Sequence, residues 1–134
     1  MKKHIHVSGK RKTAVARATA SEGKGKVTIN KVSLELFTPV LSRERIYEPI
    51  RLAGSQAEKV DISVSVNGGG VSAQSDAARL AIAKALVAFT KNKNLEKTYL
   101  EYDRQLLVAD VRRKEVHKPN RHGKARARTQ KSYR

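Results

Sequence analysis

Lys10, Arg11, Lys12 and Arg17 near one end of the chain, and Arg112, Arg113, Lys114, Lys118, Arg121, Lys124, Arg126, Arg128, Lys131 and Arg134 at the other, are the side chains whose type and spacing suggest a common task. Closely spaced guanidinium and ammonium groups with almost no carboxylate among them suit the neutralisation of successive phosphates on a polyanion. In Lys124-Ala125-Arg126-Ala127-Arg128 the cations alternate with alanine, so an extended backbone can lie close to such a polymer. A second feature is Gly68-Gly69-Gly70, between an alternating stretch and an apolar one. Glycines ahead of a helix expose backbone donors to a phosphate, and they also make tight strand-to-helix turns; the segment reads both ways. No Gly-Lys-Ser or Gly-Lys-Thr follows at nucleotide-loop spacing and no GxGxxG is present, which argues against a nucleotide-hydrolysing loop. His4 and His6 share one side of a strand, but with no cysteine in the chain and His117 and His122 far along it, we expect no metal and no cofactor. No grouping of Ser, His and Asp suggests catalysis, so no enzyme is expected.

The cations are unevenly distributed. Residues 1–31 hold nine basic residues and one acid (Glu22), residues 32–111 hold ten of each, and residues 112–134 hold ten and one (Glu115). The overall charge of +17 on 134 residues therefore sits at the two ends, around a neutral middle. A chain so charged is a poor fit to cationic surfaces and to small neutral metabolites. Its apolar runs are too short to cross a bilayer, and Met1-Lys2-Lys3 leads into no apolar leader, so we expect a protein that is neither secreted nor membrane-spanning. The lack of cysteine rules out a disulfide framework.

The neutral middle must supply the scaffold. Val60, Ile62, Val64 and Val66 alternate with Asp61, Ser63, Ser65 and Asn67, which predicts a strand with one face buried. From Ser72 to Phe89 the long polar side chains are Gln74, Arg79 and Lys84, which predicts a largely buried helix; Ser72 or Ser75 could cap its start, with Asp76 at its positive end and Lys91 and Lys93 at its negative end. Leu95, Tyr99, Tyr102 and Leu106 predict a second helix with Asn94 as N-cap. Upstream, Ala14–Ala20 and Val27–Asn30 alternate as two strands turning at Glu22–Gly25. Pro39 and Pro49 suggest short helical turns interrupted by proline over residues 34–50. The implied fold is an α+β sandwich, a small sheet with helices on one face, over residues 1–111.

Residues 112–134 contain almost nothing large and apolar, so we expect them to form no fold of their own and to act as an extended basic arm. At about 3.3 to 3.6 Å per residue such an arm spans roughly 75 Å, against a body with a radius of gyration near 13 Å. Solubility alone does not call for near-total exclusion of acids from both ends. Membrane binding would call for bulky apolar residues opposite the cations, where the arm offers only Val116 and Tyr133. Tyr99 and Tyr102 are assigned to a helix core, which leaves Tyr133 free to stack; the expected recognition is of phosphate backbone and RNA shape.

Gly68 to Leu86, reading GGGVSAQSDAARLAIAKAL, resembles the signature of the universal small-subunit ribosomal protein S-nine family: three glycines, a glutamine four on, spaced small residues, then a base. Gly9 to Arg17 resembles that family's N-terminal strand, and Gln130-Lys131-Ser132-Tyr133-Arg134 resembles the ending of its archaeal and eukaryotic branch, so the resemblance spans essentially the whole chain. It implies a ribosomal S5 domain 2-like fold, a cytosolic ribosome, and a place in the head of the small subunit among neighbouring small-subunit ribosomal proteins. It also implies an arm running toward the anticodon stem-loop of peptidyl-site tRNA. Ribosomal RNA would then be faced by Lys10, Arg11, Lys12, Arg17 and the arm cations from Arg112 to Arg128, and tRNA by Lys131, Tyr133 and Arg134. Ala73 and Ser75 flank Gln74 where many members carry glycine or alanine, which tilts the glycine turn toward a structural role. Two other readings remain open at this point: a fragment of a small-molecule kinase of similar fold, and an architectural DNA-binding protein.

Overall fold

Val60, Ile62, Val64 and Val66 are all buried on one side of strand β5 (Val60–Asn67), as their alternation requires. A computed structural model describes residues 2–117 and shows what they pack against. Strand β2 (Ala14–Glu22) buries Ala14, Ala16, Ala18 and Ala20 beside them, pairing antiparallel with β5 and with strand β1 (His4–Arg11). Strands β3 (Val27–Ile29) and β4 (Val32–Ser33) complete a sheet of order β1-β2-β5-β3-β4, with β3 parallel to β5 and the other pairs antiparallel.

Helix α2 (Val71–Thr90) lies across β1, β2 and β5, and α1 (Val40–Ala53) and α3 (Lys93–Tyr102) pack beside it on the same side. The row of alanines on β2 and Ala77, Ala78, Ala81, Ala83 and Ala85 on α2 bring helix and sheet close together. Gly9 is the extreme case, where an added Cβ would stand 2.6 Å from the carbonyl oxygen of Ala77. The α+β sandwich with helices on one face is therefore the observed fold.

Several local expectations are corrected. The prolines do not break residues 40–53 into turns: Ser42, Ile46, Pro49 and Ala53 are buried on one stripe of a 14-residue helix. Pro49 cannot donate to the carbonyl of Arg45, but Arg45 is exposed and water can serve that group, while the proline ring joins the core. Its own carbonyl accepts a bond from the Tyr99 hydroxyl at 2.6 Å. Burial pushes the Tyr99 phenol above its ordinary pKa, so it stays a donor. Helix α2 begins after Gly70 with no side-chain cap, and Ser75 is buried within it, donating to the Ser72 carbonyl. Lys91 ends α2 in the left-handed conformation, whereas Lys93 opens α3, whose N-cap is Asn92 rather than Asn94. Tyr102 is 56% exposed, so Tyr133 is not the one tyrosine free to stack.

The strand expected to carry His4 and His6 is present as β1, whereas β4 had no counterpart in the sequence. Strand β1 adds an edge, and β4 returns from β3 through Asn30 and Lys31, both at positive φ as a tight two-residue hairpin demands. The Asn30 side chain extends the pairing by accepting from the Val66 amide at 2.9 Å.

The turn between β2 and β3 closes on Asp61, whose carboxylate accepts from the amides of Lys24 and Lys26, each at 2.9 Å. The Lys26 amide does most to hold this carboxyl below the ordinary range, against the opposing cost of burial, and Lys24 and Gly25 add to it. A carboxyl with a lowered folded-state pKa stabilises above its unfolded value near 3.9, and that gain is lost as pH falls through the folded value. Asp61→Asn should therefore lower stability by about 1 kcal/mol near neutral pH, a figure discounted for exposure. Urea midpoints measured from pH 7 downward should show the gap between the two proteins closing below about pH 4.

Candidate nucleic-acid interface

Five backbone elements converge at one end of the sandwich: the β1–β2 hairpin, the end of β5, the glycine turn, the start of α2, and the segment leading into the basic arm. The hairpin turns through Lys12 and Thr13, with Lys12 at a φ of 54°. Alternation along β1 sends Lys10 to the sheet face that the helices leave open and Arg11 to the helix side. Lys10 and Lys12 are exposed at this tip, and Arg17 is exposed on the same open face as Lys10, opposite Ser8 and Ser65.

Arg11 is placed differently from its neighbours. Its side chain is 17% exposed, forms an ion pair with Asp110, and has Nε 3.8 Å from Asp76. Two carboxylates already oppose this guanidinium, which gives Arg11 a part in holding the site together. Asp110 also receives Arg112, whose Nη2 and Nε lie 2.8 and 3.0 Å from Oδ2, and whose amide donates to Oδ1 at 2.9 Å. Arg113 adds a bond to the Asp110 carbonyl at 2.9 Å. Asp110 is thus a largely buried anchor that joins the hairpin to the first residues of the arm. The sequence offered one clue to it, a lone acid two residues before a basic run.

The neighbouring charges are knitted in the same way. Arg45 reaches Asp76 at 3.1 Å, and Arg79, only 12% exposed, reaches Glu48 at 2.6 Å and Asp103 at 3.2 Å. These pairs join α1, α2 and the residues after α3, so many cations of the neutral middle are matched by its own acids. Arg112, Arg113 and Lys114 remain exposed at the root of the arm. Lys118, Arg121, Lys124, Arg126, Arg128, Lys131, Tyr133 and Arg134 lie outside the described residues, as does His122.

Gly68 and Gly69, at φ of 77° and 66°, are fixed by packing. A Cβ on Gly68 would stand 2.7 Å from the Thr13 carbonyl oxygen and one on Gly69 3.0 Å from the Ala14 Cβ, whereas Gly70 faces open space. Gln74 donates to the Gly68 carbonyl at 3.1 Å and braces the turn from the first turn of α2. The turn thus seats the hairpin tip against the helix.

His4 and His6 are exposed, with His6 Nδ1 3.0 Å from the Thr19 hydroxyl. Among the described residues no three His, Asp or Glu side chains gather within reach of one metal ion, and no helix is long and apolar enough to cross a membrane.

With this geometry in place, comparison with known proteins is specific. The family model described as ribosomal protein S9/S16 matches residues 9–134. The small ribosomal subunit protein uS9 of Methanococcus vannielii is 51% identical over 133 residues, 98% of this chain and 99% of the relative. Proteins of the same name from Methanococcus maripaludis are 50% identical with the same coverage.

Proposed function

The chain belongs to the ribosomal protein S9/S16 family, and from that premise we propose that it is a structural constituent of the small ribosomal subunit. In this reading it grips ribosomal RNA with the exposed cations of the β1–β2 hairpin and with the arm of residues 112–134. The family is one of ribosomal proteins, not enzymes, so the kinase-fragment reading falls. The observation that best supports the division of labour is the double pairing of Asp110, which draws two cationic segments distant in sequence onto one end of the body.

Neighbouring small-subunit proteins are the other expected partners. Filter binding at equal salt should favour small-subunit ribosomal RNA over duplex DNA. If about six to eight phosphates are neutralised, log affinity should fall with log salt at a slope of roughly −4 to −7. A slope near zero, or equal binding to DNA, would refute the reading.

The finer part of the proposal concerns the tip, where Lys131, Tyr133 and Arg134 combine two cations with one aromatic face and suit the phosphates and bases of an anticodon stem-loop. The resemblance to the archaeal and eukaryotic branch of the family supports peptidyl-site tRNA as the target. Deleting residues 131–134 should leave subunit assembly nearly intact and weaken peptidyl-site tRNA binding by about three- to tenfold. Unchanged tRNA affinity in purified subunits carrying the deletion would remove this role.

A further inference from the structure

The side of the sheet that the helices leave open has an unusual composition. The register lines up His6 with Thr19, Thr19 with Ser63, Ser63 with Thr28, and Thr28 with Ser33, so one row across all five strands consists of short hydroxyls and a histidine. With strands about 4.8 Å apart, that row is roughly 19 Å long. The next row sets Arg17 between Ser8 and Ser65, and the row beyond sets Lys10, Val15 and Asn67 together. The carboxylate on this face, Asp61, is turned onto the amides of the β2–β3 turn. What remains among the described residues is a shallow surface, rich in hydroxyls and weakly cationic, with no Phe, Tyr or Trp side chain.

Resting on the ribosomal reading above, we infer that this open face of β1, β2, β5, β3 and β4 is a further RNA-docking surface, which shares Lys10 and Arg17 with the hairpin and extends from them across the sheet, separate from the arm, and that it takes the sugar–phosphate edge of an RNA helix. Protein interfaces draw on Tyr, Trp, Phe and Met side chains and are poor in Ser, and a membrane would need bulky apolar groups; on this face Arg17 stands among short hydroxyls with none of those four residue types beside it. Serine and threonine hydroxyls both donate and accept, which matches the ribose 2′-hydroxyls and phosphate oxygens displayed by the wide, shallow minor groove of A-form RNA. Short side chains allow the groove to approach the sheet closely. Arg17 and Lys10 supply the charge complement to its phosphates.

The absence of cysteine makes the test direct. Full-length chains carrying Ser63→Cys or Ser65→Cys, each with a tethered iron chelate, are assembled into small subunits, with Lys97→Cys on exposed α3 as the reference. Strong cleavage of ribosomal RNA from positions 63 and 65, and weaker cleavage from position 97, is expected. Crosslinking of positions 63 and 65 to a neighbouring protein without RNA cleavage would overturn the inference. In parallel, the double variant Ser63→Glu, Ser65→Glu should bind small-subunit ribosomal RNA about tenfold more weakly in filter binding, with an unchanged circular dichroism spectrum. Unchanged affinity in that variant, with arm deletion still weakening binding, would refute the sheet-face site and leave the ribosomal reading standing. Failure of the wild-type chain to bind ribosomal RNA would take down both.

Discussion

Removal of residues 112–134 should reduce affinity for small-subunit ribosomal RNA by about three orders of magnitude near 0.1 M salt. The segment carries ten of the 29 basic residues and one acid. If about six of its cations each displace a counterion, with roughly 0.7 per contact, the slope of log affinity against log salt becomes shallower by about four. Extrapolated from 1 M to 0.1 M salt, that alone is a factor of about 10⁴, part of which is offset by the cost of ordering the arm on RNA. The truncated chain should keep the circular dichroism signal of its body, because the regular elements among the described residues end at Leu106, ahead of the deletion. Filter binding between 50 and 300 mM KCl measures both numbers. A truncated chain with the wild-type slope would show that the arm contacts no phosphate.

The second large effect belongs to the fold. Gly9→Ala should destabilise by about 3 kcal/mol, and Gly9→Val by more. The new Cβ would stand 2.6 Å from the Ala77 carbonyl oxygen and 2.8 Å from the Ala81 amide nitrogen. Both are backbone atoms of α2 and cannot rotate away, so the helix must lift from β1 along contacts made largely by alanine. For a domain of this size the loss corresponds to a fall in Tm of roughly 10 to 15 °C, read by circular dichroism at 222 nm. Gly70→Ala, where nothing lies within 4 Å, is the control and should shift stability by less than about 0.5 kcal/mol. Equal melting of the two variants would mean that β1 and α2 are not held at this distance.

Where a short-range period survives, the fold can be read from the residues. The valines and isoleucine of β5 and the apolar run of α2 have partners throughout their length and keep their patterns. Strand β1 hides its pattern because its inward positions run Ile5, Val7, Gly9, Arg11. Gly9 is there because the α2 backbone leaves no room for a side chain, and Arg11 because Asp76 and Asp110, both far along the chain, neutralise it. Helix α1 is hidden in the same way by Ser42 and Pro49, which occupy core positions that a hydrophobic period does not anticipate. At the candidate interface, charge statistics place Lys10, Lys12, Arg17 and the arm root on exposed surface correctly. They say nothing of orientation, so Arg11 looks identical to its neighbours, and Asp110, which brings the segments together, is not legible until β1 and residues 110–113 are seen side by side.

The sheet order has a consequence for the chain during its synthesis. Strand β5 is central, yet among the described residues it is the last strand to be made, and it enters between β2 and β3 with one neighbour antiparallel and the other parallel. Until residue 67 has emerged, the β1–β2 and β3–β4 hairpins share no edge. Each is a two-stranded ribbon of marginal stability in water. The nascent protein therefore passes through a stage with two inner strand edges unpaired and the alanine face of β2 uncovered, open to pairing with other chains. Arrival of β5 closes both edges, and α2, following directly after the glycine turn, then covers the exposed face. A nascent chain of which only residues 1–59 have emerged would present the adhesive surfaces of a sheet without its middle.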